Sequence, residues 1–377
     1  MRATQFRATS HDLAHLSPIR ADNGTGLRGP KLGSLHRGRE FVFDPFAAYQ
    51  SGLVTGPNVV IFGRIGSGKS AATKMMIRRA VNRGASVVVL DPKGEYSGLA
   101  TQLGGRIVAL GDTGWCNVFS GDVDVDVRLI TALIGSARGR ALDDVETLKV
   151  EMYWRDCNAG HSKRPLQTLL EWCQHNGDSV IGSTVHRFVG GDLKGLIDGT
   201  GAPEDPSDII NVLNLERWWG TDVISTVAML AWAIAEQSLA TSTGHRFLVA
   251  DEAWSLLDNQ TSLLRLRGSL KLARATGTSH ILILHRLADL ETVGDVGSRE
   301  YAAALSLLRD CDTHFMFQAT HGDVAAFARE FDLTDLEQRY VAELPRGAAL
   351  ARYGTHRSIV RFEPTRDDFI DTDGAMR

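Results

Sequence analysis

The chain has 377 residues, 43% hydrophobic and 23% charged, an ordinary globular composition that excludes a disordered or fibrous protein. Its formal net charge of −4 excludes a strongly basic chain, so any nucleic-acid contact would rest on a local patch. Four cysteines, Cys116, Cys157, Cys173 and Cys311, have neither metal-ligand nor C-x-x-C spacing and read as free thiols in a reducing cytosol.

Residues 1–40 are rich in Gly, Arg, Ser and His without a clear period, so they read as an N-terminal tail or a fragment of an upstream region. Met1 to Leu16 lacks the apolar core of a signal peptide. The core is expected to start near Phe41-Val42-Phe43. Asn58-Val59-Val60-Ile61-Phe62 is a short, β-branched apolar run and predicts a buried strand.

Gly63-Arg64-Ile65-Gly66-Ser67-Gly68-Lys69-Ser70 follows, and Ala71 to Ala80 predicts a helix after it. Strand, glycine loop and helix N-terminus in that order form the P-loop pattern. Its backbone N–H groups and helix dipole favour phosphate, and the glycines let the backbone wrap closely around it. Lys69 is placed to meet the β- and γ-phosphates of ATP, and Ser70 to offer its hydroxyl to Mg2+. A chance glycine-rich turn would not carry all eight positions and both flanks.

Gly84 stops that helix, and Ser86 to Leu90 predicts the next strand, ending at Asp91-Pro92-Lys93-Gly94-Glu95-Tyr96. Arg106 to Leu110 predicts another. From 121 to 200 the period becomes helical. Val127, Ile130, Leu133 and Ile134 share one face, as do Val145, Leu148 and Met152, and then Leu166, Leu169, Leu170 and Cys173. Gly177 and Gly190-Gly191 punctuate this all-helical insertion. Strand signals return at Ile209 to Leu215. The apolar stretch Val223 to Ala235 ends at Glu236, short of the about 20 residues that span a bilayer. It reads as a core helix. No transmembrane segment is expected, and membrane association would be at most peripheral.

His245-Arg246-Phe247-Leu248-Val249-Ala250-Asp251-Glu252 is a second apolar strand, and it ends in two carboxylates. Asp251 suits the magnesium shell, as a Walker-B aspartate does. Glu252 suits the general base that activates water for attack on the γ-phosphate. A phosphotransferase must exclude water and has no use for that second carboxylate, whereas an ATP hydrolase needs it. The next helix carries Arg267, Lys271 and Arg274 at helical spacing. Such a stripe is usually a solvated face, and the functional alternative is a face between subunits. Arg274, just ahead of the next strand, is the first candidate to reach a neighbour's γ-phosphate, with Arg286 and Arg346 behind it. Ser279 to Leu284 predicts a strand tipped by His285, a candidate γ-phosphate sensor. Thr313 to Gln318 predicts a later strand, and 348–353 with 358–362 a terminal hairpin about Gly354-Thr355. Strands alternating with helices predict a mostly parallel central sheet covered on both faces.

In this order the motifs resemble the ATPase domain of conjugative-transfer, or type IV secretion, ATPases, the TraC-like branch of the HerA/FtsK superfamily. Pro57-Asn58 before the P-loop, Asp91 to Tyr96, Gly191 to Gly199, Asp251-Glu252-Ala253-Trp254, and Ala273-Arg274 through His285-Arg286 to Ala288-Asp289-Leu290 carry the likeness, over roughly residues 40–375. Two departures stand out: the family more often has glutamine where His285 stands, and a large N-terminal domain is common where only 40 residues precede this core. The resemblance implies a RecA-like α/β P-loop ATPase, with a tail over 1–40, core over 41–120, insertion over 121–200 and core again over 201–377. It implies ATP and Mg2+ as ligands and a homo-hexamer with ATP at subunit interfaces. Other secretion or conjugation components are the implied partners, with DNA a further candidate. The expected location is the cytoplasm, at the inner face of the cell membrane when engaged. A double-stranded DNA pump of the same superfamily and a nucleotide-gated assembly scaffold are the alternatives.

Overall fold

Alternation at period two decides how the central strands are buried. In Val59–Phe62, Val60 and Phe62 enter one hydrophobic core, while Val59 and Ile61 enter another across the sheet. In Ser86–Asp91, Val88 and Leu90 join the first core and Val87 and Val89 the second. Strands apolar on both faces belong to a sheet layered between helices.

The computed structural model describes residues 26–35, 38–111, 118–119, 122–156, 165–197, 210–257, 260–292, 294–295, 297–365 and 368. Cys116, Cys157, most of the tail expected over 1–40 and the Asp198-Gly199 end of one family motif lie outside the described residues. The strands are β1 (Lys31–Leu35), β2 (Glu40–Val42), β3 (Val59–Phe62), β4 (Ser86–Asp91), β5 (Arg106–Ala109), β6 (Ile210–Asn214), β7 (Arg246–Ala250), β8 (Thr278–Leu284), β9 (Thr313–Phe317), β10 (Ala348–Tyr353) and β11 (His356–Phe362). They form one sheet in the order β2-β1-β11-β10-β9-β3-β8-β7-β4-β6-β5. From β9 to β5 neighbours are parallel; from β9 through β10, β11 and β1 to β2 they are antiparallel. β8 lies between β3 and β7, so the tips of the P-loop strand, the sensor strand and the acidic strand sit side by side.

The tail is shorter than its composition suggests. β1 pairs with β11, and β2 pairs with β1, inside the range expected to be a tail. Its strand pattern is weak because Gly33 occupies a site where a Cβ would meet the Arg361 carbonyl oxygen at 2.0 Å. Close backbone approach selected glycine there over a strand-forming residue.

Helices α1 (Pro45–Gln50), α2 (Lys69–Val81) and α3 (Ser97–Gln102) cover one face. Between β5 and β6 come α4 (Val123–Ala137), α5 (Asp144–Asp156), α6 (Pro165–His175) and α7 (Ser179–Val189). Asp122 and Asp178 cap α4 and α7 by accepting from backbone N–H groups of their first turns. These helices share the second face with α8 (Ile224–Ala240), α9 (Trp254–Leu257), α10 (Gln260–Thr276), α11 (Arg299–Arg309), α12 (His321–Phe331) and α13 (Asp335–Glu343). The stripe Val145, Leu148 and Met152 on α5 faces outward, at 65, 55 and 50% exposure. The larger aromatic area on the same helix turned inward instead: Tyr153 packs on Trp172 and Trp154 on Phe119. Among the described residues no helix is long and apolar enough to cross a membrane.

At the N-terminal ends of β3 and β8 a neutral polar cluster ties three elements together. Asn58 Nδ2 donates to the Leu270 carbonyl of α10 at 3.0 Å. Its Oδ1 accepts from the His280 backbone N–H at 3.2 Å and pairs with His280 Nδ1 at 2.9 Å. The Nδ1 proton therefore points at Asn58, and Ser269 Oγ donates to Nε2 at 2.9 Å. The ring stacks on Trp232, and burial pushes its pKa down to about 3.

Candidate active site

The loop between β3 and α2 is built to leave donors open. Gly68, at the N-cap of α2, is left-handed at φ 106° and offers no side-chain cap. A Cβ there would meet the Gly347 backbone N at 2.9 Å, and one at Gly63 would meet Phe317 Cβ at 2.6 Å. The loop is pinned from outside: Arg64 N donates to the Gln318 carbonyl and Gly347 N to the Ser67 carbonyl, both at 2.8 Å. At Gly66 nothing lies within 4 Å of an added Cβ, so that side is open. Ser67 Oγ is buried without a partner. A pinned glycine cradle, an uncapped helix start and an orphan hydroxyl suit a polyphosphate.

Lys69 is 4% exposed and folded back onto this cradle. Its ammonium donates to the Gly63 carbonyl, to the Arg64 carbonyl at 3.1 Å, and to His285 Nδ1 at 2.8 Å. Burial lowers its pKa to about 8, with the nearby Lys93 charge adding to the effect. Since Lys69 is the donor, His285 Nδ1 is the acceptor and the imidazole proton is on Nε2. That Nε2–H donates to Glu252 Oε1 at 2.6 Å.

Glu252 is held from every side. Besides His285, Lys93 donates to Oε1, and Trp254 Nε1 donates to Oε2 at 2.8 Å. The backbone of Glu252 is left-handed at φ 50°, a conformation that costs a non-glycine residue about 1 kcal/mol or more and clusters at functional sites. Burial works against the Glu252 carboxylate, but the His285 and Lys93 hydrogen bonds outweigh it and bring its pKa down to about 2. Burial likewise opposes the Lys93 ammonium, and Glu252 and Asp251 overcome that and raise its pKa.

Asp251 is the opposite case. It is 8% exposed and, among the described residues, accepts from neutral donors, the Tyr96 hydroxyl at 3.1 Å and the Glu252 N–H at 2.9 Å. Burial first, then the Glu252 charge, raises its pKa to about 6. A buried carboxylate with no ion pair of its own among the described residues suits a hard cation such as Mg2+, and Ser70, in the first turn of α2, is the hydroxyl that the P-loop pattern would add.

The sheet thus joins Lys69, His285, Glu252 and Asp251, and the P-loop backbone, at its C-terminal edge. Arg274 is elsewhere. A helix leading into a parallel strand ends at that strand's start, and α10 is anchored to Asn58, ahead of β3, through Leu270, one turn before Arg274. Exposed Arg274, with no hydrogen bond or ion pair among the described residues, lies at the end of the sheet away from its own P-loop. Lys93, Tyr96 and Trp254 entered the sequence reading only as parts of motifs. The signal for Lys93 was there: a cation two residues past the tip of a strand that neighbours the acidic one.

Comparison with known proteins supports the fold. Residues 56–131 match the family model described as the central domain of the helicase HerA. No curated protein matches the sequence. VirB4 of Thermoanaerobacter pseudethanolicus superposes with a TM-score of 0.76 at 21% identity, covering 90% of this chain and 98% of that one. The plasmid coupling protein TrwB with the non-hydrolysable ATP analogue ADPNP gives 0.59 at 14% identity over 90% of this chain and 91% of that one. TrwB with ADP and Mg2+ gives 0.56 at 16% identity over 82 and 85%. The chain has the RecA-like P-loop ATPase fold of these proteins.

Proposed function

We propose that this chain is a Mg2+-dependent ATPase, the motor of a conjugative DNA-transfer or type IV secretion system, working as a homo-hexameric ring. The observation that carries the reading is the continuous contact from Lys69 through His285 to Glu252, which links phosphate binding to the water-activating carboxylate. ATP would lie on residues 63–70, drawing Lys69 off the loop carbonyls and onto its β- and γ-phosphates. Mg2+, held by Ser70 and Asp251, would neutralise phosphate charge as it does in related sites. Glu252 would take a proton from water as its oxygen bonds to the γ-phosphorus and the bond to ADP breaks. His285, losing Lys69, would report that the γ-phosphate is present. Arg274 is too far from its own P-loop to act there and would serve a neighbouring subunit.

The fold shared with VirB4 and TrwB supports the secretion and conjugation setting, and the complex of TrwB with ADP and Mg2+ supports the ligand pair. Such a motor would work in the cytoplasm, at the inner face of the membrane when engaged with a channel. The match to the HerA central domain favours a second reading, a double-stranded DNA pump. Phosphate release by the assembled protein, with and without double-stranded DNA, tests both. Turnover that ignores DNA supports the secretion motor, and strong stimulation supports the pump. Absence of turnover in the assembled ring contradicts both and leaves a scaffold.

A further inference from the structure

Counting lone pairs at Glu252 exposes a difficulty for hydrolysis. Oε1 accepts from both Lys93 and His285. A carboxylate oxygen has two acceptor sites, so this one has none left for water. Oε2 accepts from Trp254 and keeps one acceptor site, but the side chain as a whole is only 3% exposed. The P-loop chain of contacts accounts for His285, which loosens when Lys69 moves to phosphate. It does not account for Lys93.

Lys93 is placed with care by the sequence around it. Asp91 accepts from Glu95 N at 3.0 Å and from Tyr96 N at 2.8 Å, closing the turn after β4. Gly94 is left-handed at φ 70°, and a Cβ there would meet Glu216 Oε2 at 2.6 Å. The turn therefore has little freedom and aims Lys93 across to the tip of β7. The side chain itself is 32% exposed, and its ammonium lies 5.2 Å from the centre of the Trp219 ring. Trp219 in turn meets Trp254, the other holder of Glu252, with ring centres 5.8 Å apart. A flexible four-carbon stem, partly in solvent and beside an aromatic face, has a second place to rest its charge.

We propose that Lys93 is a latch: it holds Glu252 Oε1, and hydrolysis requires it to swing off so that this oxygen can receive the proton from water. Lys93 is a positioning residue and touches no reacting atom. The inference rests on the ATPase reading above. With nucleotide bound, the phosphate charge draws Lys69 from His285 and competes with Glu252 for Lys93. The base is then free only when ATP is in place, which protects against idle cycling of the site.

Lys93→Met should raise kcat at saturating ATP by about tenfold, the scale of one hydrogen bond to a charged group. Lys93→Arg, which keeps the cation and its reach, should bring turnover back down. A merely structural lysine would not raise kcat on removal. A fall in kcat for Lys93→Met overturns the latch. A second measurement does not depend on catalysis: a double-mutant cycle of Lys93→Met and Glu252→Gln, read by melting temperature. Coupling between the two should be clear without nucleotide and should vanish with Mg2+ and ATPγS. Equal coupling in both states overturns the latch even if the protein hydrolyses ATP. Coupling that vanishes, with no turnover in any variant, shows that nucleotide releases Lys93 from Glu252 and overturns the ATPase reading, and with it the control of hydrolysis.

Discussion

The two ends of β3 and β8 each centre on a hydrogen-bonded histidine and behave in opposite ways. At the N-terminal end, Asn58, Ser269 and His280 form a closed, neutral set with every contact used. At the C-terminal end, Lys69, Lys93, His285 and Glu252 form a charged set joined by hydrogen bonds. A lysine on loop carbonyls and a base whose Oε1 is fully occupied are arrangements a ligand can trade for better ones. A buried neutral histidine between an amide and a hydroxyl has nothing to trade. The first end holds α10 rigid against the sheet, so that Arg274 is presented outward; the second end is where chemistry would occur. In a ring, one subunit's rigid end would complete another's reactive end.

Changes at the two ends should therefore differ in kind. Lys69→Ala should have the largest effect, lowering nucleotide binding and turnover by at least about 100-fold, as loss of a charge aimed at the phosphates does. Its melting temperature without nucleotide should hardly move; equilibrium binding of a fluorescent ATP analogue and a thermal melt check both. Arg274→Ala should bind ATP normally yet lose about 10³-fold in turnover, the scale of an arginine finger. Mixing it with Lys69→Ala should restore part of the activity, since mixed rings pair an intact P-loop with an intact arginine. Normal turnover by Arg274→Ala alone would move the role to Arg286 or Arg346.

At the neutral end the readout is stability. Burial brings the pKa of His280 down to about 3 and that of His314 to about 4, against 6.5 for an ordinary histidine. The unfolded chain therefore binds these protons near pH 6.5, while the folded chain refuses them until far lower. Stability is complete above about pH 6.5 and falls as pH drops through it. Asp251, which takes up a proton near pH 6 in the folded state, offsets part of the loss. Chemical denaturation at pH 7 and pH 5 should show a net loss on the order of 2–4 kcal/mol. The smallest effect is expected for Asn58→Ala. It removes the Asn58 acceptor from His280 Nδ1 and from the His280 backbone N–H, at about 2 kcal/mol of stability. Nucleotide affinity should be untouched, and a drop in affinity would show that the two ends are not independent.

Much of this was legible in sequence because the signals were local. Residues 63–70 carry their own geometry, and Val59 to Phe62 and Phe247 to Ala250 are continuous apolar runs that read as doubly covered strands. His285 could be placed from its position at a strand tip. Other features depended on partners distant in sequence. β1 is a strand because β11 covers it, and its glycine is set by the Arg361 carbonyl. The face of α5 that turned inward was decided by Phe119 and Trp172, which helical period cannot reveal. Asn58 was noticed only as a motif residue, yet its contacts lie more than 200 positions away, at Leu270 and His280. The hold of Lys93 on Glu252 likewise spans 159 positions.

The central claim is that the P-loop end is a working hydrolytic site with Glu252 as its base. Glu252→Gln tests it most directly, with bound ATP and released phosphate measured on the same preparation. The account predicts that the variant retains ATP with wild-type affinity while phosphate release falls by about 10²–10⁴-fold, the usual worth of a general base. Phosphate release within about threefold of wild type would remove Glu252 from that role and contradict the account.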